Sequence, residues 1–344
     1  RTKLEKQSLE EKLPLERALG IYWDTENDQF KFQVNVKKKP MTRRGMLSIV
    51  SSIYDPLGFV APFTLKGKKL VQQLCQLEIG WDSKAPDSVI KEWLTWQDSL
   101  EHLKRYSIDR CMKPKGFGKI KKLELHHFSD ASEQAYGQVS FLRIRNDSDK
   151  IHCCLIMGKA RVTPKRFVSI PRLELVAAVL SVKVSQYLKR ELNLDEIQET
   201  YWTDSKVVLG YIRNQTKKFT TFVANRIQQI HERSEIGQWK YIPSKMNPAD
   251  DASRGLVATN SGRSSLRWFK GPEFLLSPDS SWGSEDQIMG IEDTDPEVKQ
   301  SVKVNTIRYC DSIMDNVERI SSWNKMKRIM AVVLKFKMIL IGHI

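Results

Sequence analysis

The sequence predicts an α/β protein, with a mixed five-stranded sheet and flanking helices over residues 123–256, preceded by a small, mostly helical domain. Three observations carry this. Residues 123–130, 136–145 and 150–162 read as successive β segments joined by short turns at 131–134 and 146–149. A long helix then starts at Ile170, followed by a strand at about 197–203, helices at 205–214 and 219–234, a strand at 238–243 and a helix from about 247. The order βββαβααβα folds as one mixed sheet with helices on its faces. Upstream, residues 42–103 carry apolar stripes at helical spacing instead.

In chain order, residues 16–36 read as a strand pair around a turn at 25–28. Thr42 is a plausible N-cap for a helix carrying Met46, Leu47, Ile49, Val50 and Ile53, which Asp55-Pro-Leu-Gly58 stops. A second helix spans about 65–77. Asp87 or Ser88 caps a third, whose wide stripe includes Trp93, Trp96, Leu100 and Leu103. The Pro, Gly and lysines of 112–122 mark a basic linker between residues 1–111 and the sheet domain 123–256. Pro171 suits the first position of the long helix, with Ser169 near its cap. Residues 257–344 read as a Ser/Gly linker, an acidic patch (Glu285, Asp286, Glu292, Asp293, Asp295, Glu297) and a closing amphipathic helix at 323–341.

Lysine and arginine number 56 against 41 acids, a net charge of +15 that favours polyanionic partners, nucleic acid before membrane surfaces. No apolar run reaches membrane-spanning length and the first residues lack a signal core. Cys75, Cys111, Cys153, Cys154 and Cys310 include no C-x-x-C pair, so reduced thiols in a cytosolic or nuclear setting are expected. A start without Met and the abrupt end suggest a piece of a longer chain.

Four acids stand at element boundaries: Asp130 ending the first β segment, Glu174 in the first turns of the long helix, Asp204 ending the fourth strand and Asp250 opening the last helix. Each alone has a plain reading, as a turn residue, a helix-dipole partner or a cap, and Asp251 competes with Asp250. If the first and fourth strands are neighbours, however, Asp130 and Asp204 emerge side by side and packed helices bring Glu174 and Asp250 over them. Such a carboxylate set repels itself without divalent cations, and hard oxygen donors suit Mg²⁺. Two such ions clamp the attacking and leaving oxygens of a phosphodiester hydrolysis.

The strings FSDASEQAYGQV (128–139), IPRLEL (170–175), WTDSKVVL (202–209), FVANR (222–226) and NPADDASRG (247–255) together resemble the ribonuclease H region of BEL/Pao-type retrotransposon polyproteins. SIVSSIYDPLGFVAP (48–62) is similar to the segment following the reverse transcriptase palm in that family, so residues 1–111 resemble a thumb or connection region. The resemblance implies a ribonuclease H-like fold and a Mg²⁺-dependent endonuclease, with Mn²⁺ as a possible substitute, cutting the RNA strand of RNA–DNA hybrids. It implies metal-binding roles for Asp130, Glu174, Asp204 and Asp250. It also implies palm and integrase regions of the same polyprotein as partners, no membrane, and a cytoplasmic, particle-bound or nuclear setting.

The basic residues crowding these motifs, among them Arg172, Lys206, Arg213, Arg226 and Arg254, are candidates for phosphate contacts. One departure is that the stretch 243–248 lacks the His that many ribonucleases H carry there. There is no palm-type Tyr-x-Asp-Asp and no Asp-Ser-Gly or Asp-Thr-Gly triplet, although the polyprotein region can carry a peptidase label. A catalytically degenerate domain that only positions nucleic acid, and an aspartic-type peptidase region, are the competing functions.

Overall fold

The computed structural model describes residues 16–18, 21–32, 38–194, 196–259, 266–279, 282, 290–299 and 322–341. At the start, β1 (Glu16–Ala18), β2 (Ile21–Asp24) and β3 (Gln29–Lys31) form an antiparallel meander. Three helices follow. In α1 (Arg43–Ser52) the Thr42 hydroxyl accepts from Gly45 N–H as expected, and Met46, Ile49 and Val50 are buried. Asp55 accepts from the N–H groups of Phe59 and Val60, both at 2.9 Å, and so holds the entry to α2 (Ala61–Gln76). In α3 (Asp87–Ser99) Pro86 takes the cap position and Asp87 lies in the first turn, where its charge meets the helix dipole instead of capping by a side-chain bond. Trp93 and Trp96 of α3 are fully buried, and the Trp96 indole donates to Phe63 O at 2.8 Å. After a 3₁₀ turn, β4 (Ser107–Asp109) pairs with β3, so the expected strand pair is in fact a four-stranded sheet beside the helices.

The main sheet follows the predicted order. Long strands β5 (Ile120–Ala131), β6 (Ala135–Asn146) and β7 (Ile151–Val162) are antiparallel. After α4 (Ile170–Leu192) comes β8 (Gln198–Thr203), parallel to β5. Next are α5 (Lys206–Arg213), α6 (Thr221–His231), β9 (Trp239–Tyr241), parallel to β8, and α7 (Ala249–Arg254). The sheet order β7-β6-β5-β8-β9 is the mixed five-stranded, ribonuclease H-like arrangement expected. Leu180, Val184 and Leu188 of α4 cover Leu125, Leu142 and Ile144 on one face. On this side Glu199 is buried, which pushes its pKa up. Bonds from His127 Nε2 at 3.3 Å and Lys189 Nζ at 2.8 Å, with one from Ser185, overcome that and hold it at about 2.

Two expectations need correction. Residues 120–122 belong to β5, and the helices and the sheet share one apolar core, in which Met46, Leu65 and Trp93 join Phe128, Phe141 and Leu155. The chain up to Lys299 is accordingly one compact unit. The joint is a backbone crossing at the Asp-Pro-Leu-Gly turn: Gly158 N–H donates to Leu57 O at 2.8 Å, and a Cβ on Gly58 (φ 72) would stand 1.7 Å from Gly158 O. The segment after 256 is also more than a linker. Trp268 of α8 (Leu266–Lys270) is fully buried against Gly158 and donates to Phe59 O at 2.8 Å, and Leu275 is buried beyond it. Arg143, with no exposure, binds Leu275 O at 2.7 Å and Ser277 O at 2.8 Å and pairs with Glu124, fastening this segment to the sheet. The reason is apolar area: β5 and β6 have two faces to cover, and α4 covers one. Glu285 and Asp286 of the acidic patch lie outside the described residues. The second unit, Gln300–Ile344, contains α9 (Trp323–Ile341), the expected closing helix. Among the described residues no helix is long and apolar enough to cross a membrane.

Gly58→Ala and Trp268→Ala should each lower the unfolding free energy by about 3 kcal/mol or more, read by urea titration; wild-type midpoints would refute the crossing as the joint. Glu199 makes a second, pH-dependent expectation. Its folded pKa is depressed, so its contribution is present above pH 4.5 and is lost as pH falls towards about 2. Glu199→Gln should cost about 3 kcal/mol at neutral pH and little at pH 2, measured by denaturation at both values.

Candidate active site

The parallel register of β5 and β8 pairs Phe128 with Trp202 and Ser129 with Thr203. The next residues, Asp130 and Asp204, therefore leave the same end of two adjacent strands. Glu174 reaches this end from the first turns of α4, where Ser205 donates to its carboxylate. Ser205 also caps α5, accepting from Val208 N–H at 3.2 Å, so one hydroxyl ties α4 to α5 directly beside Asp204. Asp250 comes from the first turn of α7. The other three predicted acids all bear on Asp130, which carries the repulsion of Asp204, Asp250 and Glu174.

Burial raises the Asp130 pKa well above the carboxylate range and the negative charge of Asp204 adds to it, against a hydrogen bond from Ser253. Burial likewise pushes Glu174 up to about 7, opposed by the Ser205 bond and aided by Asp204. Each carboxylate rests on its own donor. Asn247 Nδ2 bridges Ser129 O at 3.0 Å and Asp204 Oδ1 at 3.2 Å, and Arg254 pairs with Asp250 one helical turn away. Asp251 is buried on Arg267 Nη2 at 2.6 Å, with the same nitrogen 3.8 Å from Asp250 Oδ2, and it is the charge of Asp250 that bears on Asp130. With the side chains so placed, no three His, Cys, Asp or Glu groups among the described residues are gathered to hold a metal ion. The donor chemistry nevertheless suits a hard cation: four carboxylates, two of them, Asp130 and Glu174, raised by burial and by the negative charge of Asp204.

The helical region completes the site. Lys69 of α2 donates to Arg254 O at 2.9 Å and Ser253 O at 3.4 Å, at the C-terminal end of α7 where a cation is favoured. Leu256 N–H donates to Pro62 O at 3.1 Å. A polar cleft of ≈ 640 Å³ opens between α2 and this end of α7, lined by Lys66, Lys69, Gln72, Gln73 and Arg254. Of the other basic candidates, Arg172 is paired with Glu297, and Arg226 stacks on Phe222 with Cζ 3.4 Å from the ring centroid. Lys206 Nζ lies 4.8 Å over the Tyr241 ring, and Arg213 reaches Trp239 O at 3.4 Å. Sequence reasoning missed the supporting residues Ser205, Asn247 and Ser253, although all three sit inside the quoted motifs. It had no local signal for Lys69.

Residues 42–205 match the family described as Pao retrotransposon-like RNaseH-like domain. This stretch of the chain is similar to that family. Asp130, Glu174 and Asp204 fall within the Pao-type segment, whereas Asp250 lies beyond it and joins the set by geometry. A search of curated proteins gave no match. Among solved structures, similarity is found to the N-terminal RNase H domain from Mycobacterium tuberculosis (10% identity, TM-score 0.28, 38% of this chain and 90% of that one). It is found also to RNase H1 from Halobacterium salinarum (9%, 0.26, 38% and 93%). The foamy viral protease-reverse transcriptase in complex with dsDNA is similar over 70% of this chain and 46% of that one, at 13% identity and TM-score 0.22.

At this site the raised carboxylates of Asp130 and Glu174 set the sign of a pH effect. Their folded affinity for protons exceeds the unfolded one, so without metal their stabilisation is full below pH 4 and is lost as pH rises through about 7. Asp130→Asn should therefore stabilise the metal-free protein at pH 8 by on the order of 2 kcal/mol and leave it unchanged at pH 4. Thermal melts at the two pH values check this, and a destabilised variant at pH 8 would contradict the electrostatic account.

Proposed function

We propose that this Pao-type region is a ribonuclease H that hydrolyses the RNA strand of RNA–DNA hybrids, with Asp130, Glu174, Asp204 and Asp250 as its metal-binding acids. The observation that carries the reading is the meeting of these four carboxylates at one sheet end, with Asp130 and Glu174 held well above their ordinary pKa. When bound there, Mg²⁺ would supply an activated water and charge neutralisation at the departing oxygen. The chain's own residues prepare the site. Ser253, Ser205 and Asn247 orient the carboxylates of Asp130, Glu174 and Asp204, and each must give up or share its bond when a cation is taken. Arg254, paired with Asp250 at the mouth of the polar cleft, is placed to meet a phosphate once that pair opens. The same reading makes the reverse transcriptase and integrase regions of a common polyprotein its neighbours, in a cytoplasmic particle or the nucleus.

The test is cleavage of an RNA–DNA hybrid labelled on the RNA strand, resolved on a denaturing gel, with single-stranded RNA and duplex DNA as controls. The full chain should cut the hybrid with Mg²⁺ or Mn²⁺ and not with EDTA. Asp130→Asn and Glu174→Gln should each lower the rate on the order of 10²–10⁴-fold while hybrid binding persists. Undiminished cleavage by Asp130→Asn, or none by the unaltered chain with either metal, would overturn the assignment, the latter in favour of a domain that only positions nucleic acid.

A further inference from the structure

Residues 291–299, Ile-Glu-Asp-Thr-Asp-Pro-Glu-Val-Lys, carry four carboxylates and were expected to belong to a linker. Instead they lie as a strap across α5, the α5–α6 loop and the first turn of α4. The Glu297 carboxylate takes Arg172 with both oxygens, Oε2 at 3.0 Å from Nη2, and accepts from the Thr220 hydroxyl. Asp295 accepts from the Tyr211 hydroxyl at 3.0 Å, and Asp293 pairs with Lys217 at 2.7 Å. Two backbone bonds hold the strap down, Thr220 N–H to Glu297 O at 2.8 Å and Lys299 N–H to Lys218 O at 2.7 Å.

The contacts are mostly electrostatic. Ile291 and Val298 are the apolar side chains of the strap, and both are only half-buried against the core. The Lys217–Asp293 pair is open to water on the Asp293 side, which is 93% exposed. Pairs of that kind are worth about 0–1 kcal/mol each and weaken with salt. The face beneath is basic, with Arg172, Lys206, Lys217 and Lys218. In the chain Arg172 precedes Glu174 by two residues and Lys206 follows Asp204 by two. A guanidinium fork that grips a carboxylate grips a phosphate in the same way, and a polyanion offering several phosphates at once gains further from counterion release.

We propose that this face binds the phosphodiester backbone of nucleic acid, and that the strap 291–299 is an internal competitor which the backbone displaces. The inference rests on the reading of the neighbouring acids as acting on nucleic acid. It differs from a purely structural strap in the sign of two measurements, both made on the full chain in EDTA so that no strand is cut. In the first, anisotropy of a fluorescein-labelled RNA–DNA hybrid is followed at low salt. A variant carrying Glu292→Gln, Asp293→Asn, Asp295→Asn and Glu297→Gln should bind about tenfold more tightly, and adding Arg172→Ala and Lys217→Ala should cancel the gain. Unchanged or weaker binding by the four-fold variant overturns the proposal.

The second measurement needs no substitution and so stands even if that variant folds poorly. In hydrogen exchange of the unaltered chain, saturating hybrid should speed exchange at the Thr220 and Lys299 amides, the two that the strap and loop share, whereas ligand contact alone would slow it. Unchanged or slower exchange at both amides overturns the displacement. Cleavage with Mg²⁺ by a chain whose affinity ignores the strap would defeat this proposal alone. Tighter binding by the strap variant of a chain that never cleaves would defeat the nuclease reading alone.

Discussion

The parallel pairing of β5 with β8 is the constraint on which the rest depends. Its register ends at Ser129 and Thr203, so Asp130 and Asp204 follow at one sheet end with no freedom to part. A one-residue slip would turn Phe128 and Trp202 out of the core they share with Phe141 and Trp268, so apolar packing on the strands enforces the closeness of the carboxylates beyond them. Repulsion is thus imposed by the fold, and the surrounding elements answer it locally with Ser253 and Asn247 from the 247–255 segment and Ser205 from the start of α5.

That answer draws the helical region into the site. Ser253 and Arg254 sit at the end of α7, whose carbonyls are held by Lys69 of α2, while the following Leu256 bonds to Pro62 at the start of α2. Gly58 and Gly158 let the turn before α2 press against β7 with no side chain between them. The chain from the Pro-Leu-Gly turn to α7 is therefore one continuous support for the acids. A cut between the helices and the sheet at 112–122 would run through a shared core.

Much of this was legible in the residues. Period-two alternation and turn chemistry located the strands within a few positions, because β5 to β7 are local antiparallel pairings with short turns. The four acids were legible because each ends or opens an element, which is a local property. What escaped notice depends on distant partners. β4 pairs with β3 across three helices, and three residues show no period. Trp268, Leu275 and Trp282 read as aromatic and aliphatic residues scattered in a Ser/Gly stretch, and only the uncovered sheet face explains their burial. Arg172 looked like a phosphate contact from its neighbours, but the carboxylate it grips belongs to Glu297, 125 positions later.

The contrast between Glu199 and Asp130 says why Asp130 is held near neutrality. Glu199 is 5% exposed and Asp130 7%, so burial penalises both charges. Around Glu199 the fold supplies Lys189, His127 and Ser185, and the carboxylate is held at about 2. Around Asp130 it supplies one hydroxyl and three further acids, with Arg254 turned onto Asp250. The same sheet thus shows that a buried carboxylate can be fully compensated within this fold, and at the β5–β8 end it is not. Desolvation alone does not produce that difference; it follows from the charged and hydrogen-bonding groups that the chain places around each buried carboxylate. Keeping Asp130 and Glu174 there as acids costs stability once the pH rises far enough to ionise them.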